Sequence, residues 1–195
     1  MTIAFVLGNG VSRRAANLEL LRSRGRIYGC NALHRDFEPD VLVATDRPIA
    51  EHIQALGYAM DHKFYTRKPV PGRGGYRIPE PYYTFSSGPA AVGIALDDGM
   101  RRIYLLGFDM GPGSDNMFNN VYASTEFYKK SGSVPTYTGN WTRQVAKLAQ
   151  QSPSVDFVRV CGPTTARLTD LDGITNLQHL QMSEFLDRIN NQKDL

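Results

Sequence analysis

The chain has 195 residues, 42% of them apolar, and its 22 Lys and Arg against 19 Asp and Glu leave a formal net charge of +3. That length buries one sizeable core and is short for two, which predicts a single domain over 1–195. No apolar run reaches the roughly 20 residues that cross a bilayer, the start MTIAFVLGNG lacks a basic leader, and the scattered charge carries no nucleic-acid footprint; a soluble, cytoplasmic protein is expected.

The first predicted element is a strand over Ile3 to Leu7, a short continuous apolar run of the kind buried on both faces. The glycine-rich turn LGNGVS and a helix over Arg14 to Ser23 follow it. Similar runs predict strands over Arg26 to Ala32, Asp40 to Asp46, Ile103 to Phe108 and Asp156 to Cys161. Helices are predicted over Arg47 to Leu56, Pro89 to Asp98, Trp141 to Gln151 and Ser183 to Asn190. The helix from Trp141 has the clearest period, with Trp141, Val145, Leu148 and Ala149 on one face and Thr138 placed to cap it. Trp141 itself reads as a core residue. Strands alternating with helices predict an α/β, Rossmann-like domain: a mostly parallel sheet with helices on both faces.

Two segments break this rhythm. Arg67 to Pro81 carries four prolines and three glycines and predicts an irregular loop near 67–80 that closes over a ligand. Its Arg67, Lys68, Arg73 and Arg77 are either phosphate contacts or a solvated surface. Residues 111–136, rich in Gly, Asn and Ser, predict a second mobile insertion. Cys30 and Cys161 lie in apolar segments without a second cysteine at ligand spacing, which predicts reduced thiols.

In LGNGVS, Gly8 and Gly10 bracket Asn9, and Ser12 is placed to cap the next helix. A helix start of this kind offers unpaired N–H groups to a phosphate. The third glycine of a dinucleotide fingerprint is Arg13 here, and the Gly-Lys-Ser/Thr of a Walker loop is absent. Other polar residues close strands on the same edge: Asn31, Asp46 and Asp109, joined by Ser86, Ser87 and Gly88, with Ser87 placed to cap the helix from Pro89. Ligands of open parallel sheets bind at the carboxyl ends of the strands, so a pocket is expected there. His34 follows CNAL at that edge, while the four histidines share no metal-ligand spacing.

The order GNGVS, CNAL, PDVLVATD and SSGPAAVGIALDDGMRRIYLLGFDM resembles the core shared by family 42 glycosyltransferases, the bacterial sialyltransferases, and by 6-hydroxymethylpterin diphosphokinase-like proteins. The resemblance spans about two thirds of the chain. It implies that Gly8, Asn9, Gly10, Asn31, Ser87 and Gly88 bind a nucleotide or nucleotide sugar, such as a CMP-sugar. It departs from the sialyltransferases at the chemistry. Their Tyr-x-Gly-His base segment reads Tyr137-Thr138-Gly139-Asn140, and an amide does not accept a proton as imidazole does. Their phosphate-supporting tyrosine is Met110, with Tyr122 and Tyr128 as stand-ins from the insertion.

Three readings stay open. The chain is a glycosyltransferase using Asp46, Asp109 or His34 as base, a nucleotide-binding or assembly module without turnover, or a diphosphokinase whose Asp46 and Asp109 hold Mg²⁺ between phosphates. The expected partner in each is a nucleotide or its sugar conjugate, with no cofactor beyond that Mg²⁺; homo-oligomer formation is left open.

Overall fold

A computed structural model describes residues 2–191. β1 (Ile3–Leu7), β2 (Arg26–Cys30), β3 (Val41–Ala44), β4 (Phe64–Thr66), β5 (Tyr76–Arg77), β6 (Arg102–Leu106), β7 (Asp156–Cys161) and β8 (Leu177–Gln181) form one sheet. Its order is β5-β4-β3-β2-β1-β6-β7-β8, and every pairing is parallel. The chain therefore starts at the centre, walks out to one edge, returns to the other side of β1, and walks out again.

Alternation along the inner strands feeds two cores. Ala4 and Val6 of β1, Val41 and Val43 of β3, and Ile103 and Leu105 of β6 join one cluster. Phe5 and Leu7, Leu42 and Ala44, and Tyr104 and Leu106 join the opposite one. The first face is covered by α4 (Ser87–Asp97) and α5 (Gly139–Gln151), the second by α1 (Glu19–Arg22), α2 (Arg47–Ala55), α3 (Tyr58–Asp61) and α6 (Met182–Asn190). Right-handed crossovers require this change of face when the direction of travel across the sheet reverses. No described helix is long and apolar enough to cross a membrane.

Several element ends differ from expectation, each for a local reason. The helix expected over Arg14 to Ser23 splits into a 3₁₀ turn at Val11–Ala15 and the short α1, because Ala16 turns extended and the Asn17 side chain accepts the Glu19 N–H to restart the helix. β2 stops at Cys30, since Asn31 takes a φ of +53° and begins a 3₁₀ turn. β6 stops before Gly107, whose φ is +68°. The short β4, the edge strands β5 and β8, and α3 are additions to the expected set; LQHLQ in β8 carries no β-branched residue to announce a strand. Within the loop expected near 67–80, Tyr76–Arg77 pairs with β4 as β5.

Candidate functional site

The site begins where travel across the sheet reverses, between β1 and β6. There Gly8 N–H donates to Leu106 O and Gly10 N–H to Gly107 O, each at 2.8 Å. A Cβ on Gly8 would lie 2.6 Å from Gly107 O, and one on Gly10 would lie 2.5 Å from Asp109 Cγ. The glycines are needed first so that two strand ends can touch.

That contact changes the meaning of the turn. Val11 N–H donates to Asn119 Oδ1 at 2.9 Å, Ser12 N–H to Asp109 Oδ2 at 3.1 Å, and Arg13 N–H to Gly10 O at 3.2 Å. The N–H groups expected to be open to a phosphate are thus already taken, two of them by side chains from β6 onward. Asp109, 2% exposed, also accepts from the Ser12 hydroxyl, from Asn119 Nδ2 at 3.1 Å, and from the Thr164 and Thr165 hydroxyls at 2.8 and 3.2 Å. Its carboxylate is an internal anion saturated by donors, so it is neither free to act as a base nor free to share a metal with Asp46. Ser12 serves this anchor and caps no helix: it sits inside the 3₁₀ turn, whose cap position is Gly10.

A cleft of about 420 Å³ opens over these strand ends. Gly8, Asn9, Gly10, Asn31, Asp46, Ser86, Ser87, Gly88 and Asp109 all line it, whereas Ser12 and His34 do not. His34 instead packs on Tyr58, and its Nδ1 bonds Asn31 O at 3.1 Å, so it props the turn that carries Asn31. Burial is the first cause that lowers its pKa. Asp46 is exposed, and its carboxylate makes no hydrogen bond or ion pair among the described residues.

Ser87 does not cap α4. The helix starts at Ser87 itself, and the hydroxyl accepts Thr45 N–H at 3.0 Å and donates to Asn31 Oδ1 at 2.8 Å. This ties three loops together and leaves the Ser87 and Gly88 N–H groups without a partner among the described residues. Thr138 likewise spends its hydroxyl on Met110 O at 2.9 Å rather than on a cap. Asn31, Met110 and Phe127, all in the cleft wall, hold positive φ of 53, 50 and 70°. Such backbone costs of order 1–3 kcal/mol per residue and persists only where the surroundings enforce it.

The insertion supplies the rest of the wall with Phe118, Asn119, Asn120, Phe127, Tyr128 and Lys129, and α5 adds Trp141. Trp141 is both a core neighbour and a lining residue. The tyrosine hydroxyls divide. Tyr122 is buried, donating to Asp36 Oδ1 at 2.5 Å and accepting from Arg13 Nη2 at 3.1 Å, whereas Tyr128 lines the cleft and accepts from Asn9 Nδ2 at 3.4 Å and Ala32 N–H at 3.3 Å. Burial, the largest cause, raises the Tyr128 pKa, so the phenol stays a proton donor. Asn140 lies outside the wall, exposed and bonded to Arg143. The 67–80 loop contributes nothing to the wall: Arg67 grips Tyr83 O, Thr45 O and Phe85 O, and Arg77 pairs with Glu80. Cys30 and Cys161 are free thiols; burial pushes Cys30 up to about 12.

The Mg²⁺ of the diphosphokinase reading does not fit this wall. Asp109 is saturated, and no group of three His, Cys, Asp or Glu side chains placed to hold a metal exists among the described residues.

Neither a family model nor a curated protein matches the chain. Among solved structures, it is similar to the sialyltransferase CstII from Campylobacter jejuni, determined in complex with a substrate analogue, cytidine-5'-monophosphate. The TM-score is 0.54 at 11% identity, over 88% of this chain and 86% of that one. The chain therefore shares the α/β, Rossmann-like fold of that structure.

Proposed function

We propose that the cleft binds a nucleotide sugar of the CMP-sugar type and that the protein transfers its sugar to an acceptor hydroxyl. The observation that carries this reading is the convergence of Asn9, Asn31, Tyr128 and the open N-terminus of α4 on one cleft at the switch point of the sheet. The fold shared with a sialyltransferase solved with cytidine-5'-monophosphate supports it. Phe118, Phe127 and Trp141 offer aromatic surface to a base, and the Tyr128 hydroxyl, with both lone pairs engaged, has its proton left for a leaving phosphate.

In such a transfer the acceptor oxygen bonds to the anomeric carbon, the bond from that carbon to the phosphate oxygen breaks, and the phosphate leaves with the electron pair. The acceptor proton goes to a base, for which Asp46 is the lining carboxylate without a partner among the described residues. Asp46→Asn should leave nucleotide affinity in calorimetry unchanged while transfer falls by ~10²–10⁴. A variant as active as wild type would remove Asp46 from the chemistry.

The absence of histidine from the described cleft wall favours one competing reading, a module that binds without turnover. A panel of nucleotides and nucleotide sugars in a thermal-shift screen identifies the ligand, since binding to the folded state raises its stability. Product analysis with the binders then separates transfer from binding alone.

A further inference from the structure

Three arginines lie behind the cleft without a carboxylate in salt-bridge range among the described residues: Arg13 and Arg159, 4% and 1% exposed, and half-buried Arg67. Buried charges are normally paired with an opposite charge. These instead bond backbone carbonyls at the strand ends. Arg13 Nη1 donates to Gly8 O at 2.9 Å, Arg159 donates to Phe108 O at 2.9 and 3.0 Å and to Asp109 O at 3.0 Å, and Arg67 Nη1 donates to Thr45 O at 3.2 Å. Each of those four carbonyls belongs to a lining residue.

Other lining carbonyls are also spent. Asn9 O accepts Val121 N–H, Gly107 O accepts Gly10 N–H, and Met110 O accepts the Thr138 hydroxyl. The side-chain amides follow the same rule. Asn9 Oδ1 faces Arg13 Nη1 at 3.3 Å and Asn120 Oδ1 faces Tyr122 N–H at 2.9 Å; both neighbours can only donate, which fixes the amide oxygen towards them and turns the nitrogen to the cleft side, where Asn9 Nδ2 donates one hydrogen to Tyr128 at 3.4 Å. Asn31 Oδ1 is held by Ser87, and Asn31 Nδ2 has no partner among the described residues.

We propose that Arg13, Arg67 and Arg159 are positioning residues that make this cleft an oxyanion receptor: they occupy its carbonyl acceptors from behind and leave N–H and O–H donors on its surface beside the open Asp46 carboxylate. The ligand class is one held through a phosphate or carboxylate group, met by Asn31 Nδ2, the Ser87 and Gly88 N–H groups, the Tyr128 hydroxyl and Lys129. This deepens the nucleotide reading and rests on it only for the identity of the group attached to the anion.

The test uses the full chain and four probes in calorimetry: cytidine, cytidine monophosphate, inorganic phosphate and pyrophosphate, with EDTA or with Mg²⁺. Cytidine monophosphate should bind at least ~100-fold more tightly than cytidine, without Mg²⁺, as charge-assisted bonds to a fixed oxyanion require. Asn31→Asp keeps the shape, tolerates the left-handed backbone and replaces a donor by an acceptor; it should weaken the monophosphate ~100-fold and leave cytidine unchanged. Lowering the pH from 7 to 5 should weaken wild type as the phosphate, with its second pKa near ~6, gains a proton, yet narrow the gap to Asn31→Asp because the new carboxylate repels a phosphate monoanion less than a dianion. Arg67→Met, at the least buried of the three, should cost on the order of tenfold for the monophosphate alone.

Equal affinity for cytidine and its monophosphate, dependence on Mg²⁺, or an indifferent Asn31→Asp would each overturn the proposal. Phosphate or pyrophosphate binding with no gain from the nucleoside would uphold it and sink the nucleotide reading. Monophosphate binding that needs Mg²⁺ would do the reverse, and no binding of any probe would sink both.

Discussion

Asp109 shows how a residue found by position can have a role set by its neighbours. It follows β6 at the edge where ligands bind, so a catalytic or metal-binding part was the natural expectation, yet its two oxygens take hydrogen bonds from Ser12, Asn119, Thr164 and Thr165. Replacement by an amide leaves at least one buried donor facing another donor. Charge-assisted bonds are worth about 1.5–3 kcal/mol, so Asp109→Asn should lower the unfolding free energy by about 2–4 kcal/mol in urea titration. An unchanged midpoint would mean the carboxylate is not an anchor. Arg159 was illegible for the converse reason. In DFVRVC it alternates with apolar residues like a side chain turned to solvent, and only the carbonyls of Phe108, Asp109 and Ala166 make its burial tolerable.

The glycine turn joins β1 to a 3₁₀ turn and is held by the end of β6. Its composition was legible as a tight turn, but the reason for the glycines was not, because Gly107 is almost a hundred positions away. Gly8→Ala puts a methyl group 2.6 Å from Gly107 O, a backbone atom flanked by the φ of +68° at Gly107. Overpacking of this kind costs about 1–3 kcal/mol, so the variant should melt earlier than wild type in calorimetry. An unchanged melting temperature would show that the strand ends separate freely. The insertion 111–136 likewise belongs to the body of the fold. Val121 N–H bonds Asn9 O at 2.8 Å, Asn119 reaches Asp109 and Tyr122 bridges Asp36 to Arg13, so its wall residues are held in register with the glycine turn.

At the level of the complete sheet, the reversal between β1 and β6 brings the glycine turn, the Asn31 turn, the start of α4 and the insertion to one mouth. The 67–80 loop, by contrast, accompanies β5 at the far edge of the sheet. Ligand binding should therefore slow hydrogen exchange across 118–129 and 86–90 while leaving 67–80 unchanged, read by mass spectrometry with and without cytidine monophosphate. Slowing confined to 67–80 would place the ligand elsewhere.

The alternation of short apolar runs with helical periods was enough to establish a parallel α/β sheet, because strands buried on both faces must be apolar throughout and their crossovers must be helices. It also placed Asn9, Asn31, Asp46, Ser86 and Ser87 on the edge where the cleft opens, since strand ends of a parallel sheet share one side. What each of those groups offers a ligand depended on contacts between residues far apart in the chain. Donors and acceptors are consumed pairwise in three dimensions, so Ser12 and Asp109 satisfy one another, Arg13 turns Asn9, and Asp46 alone of the expected carboxylates is left open, a partition that no local pattern of residues encodes.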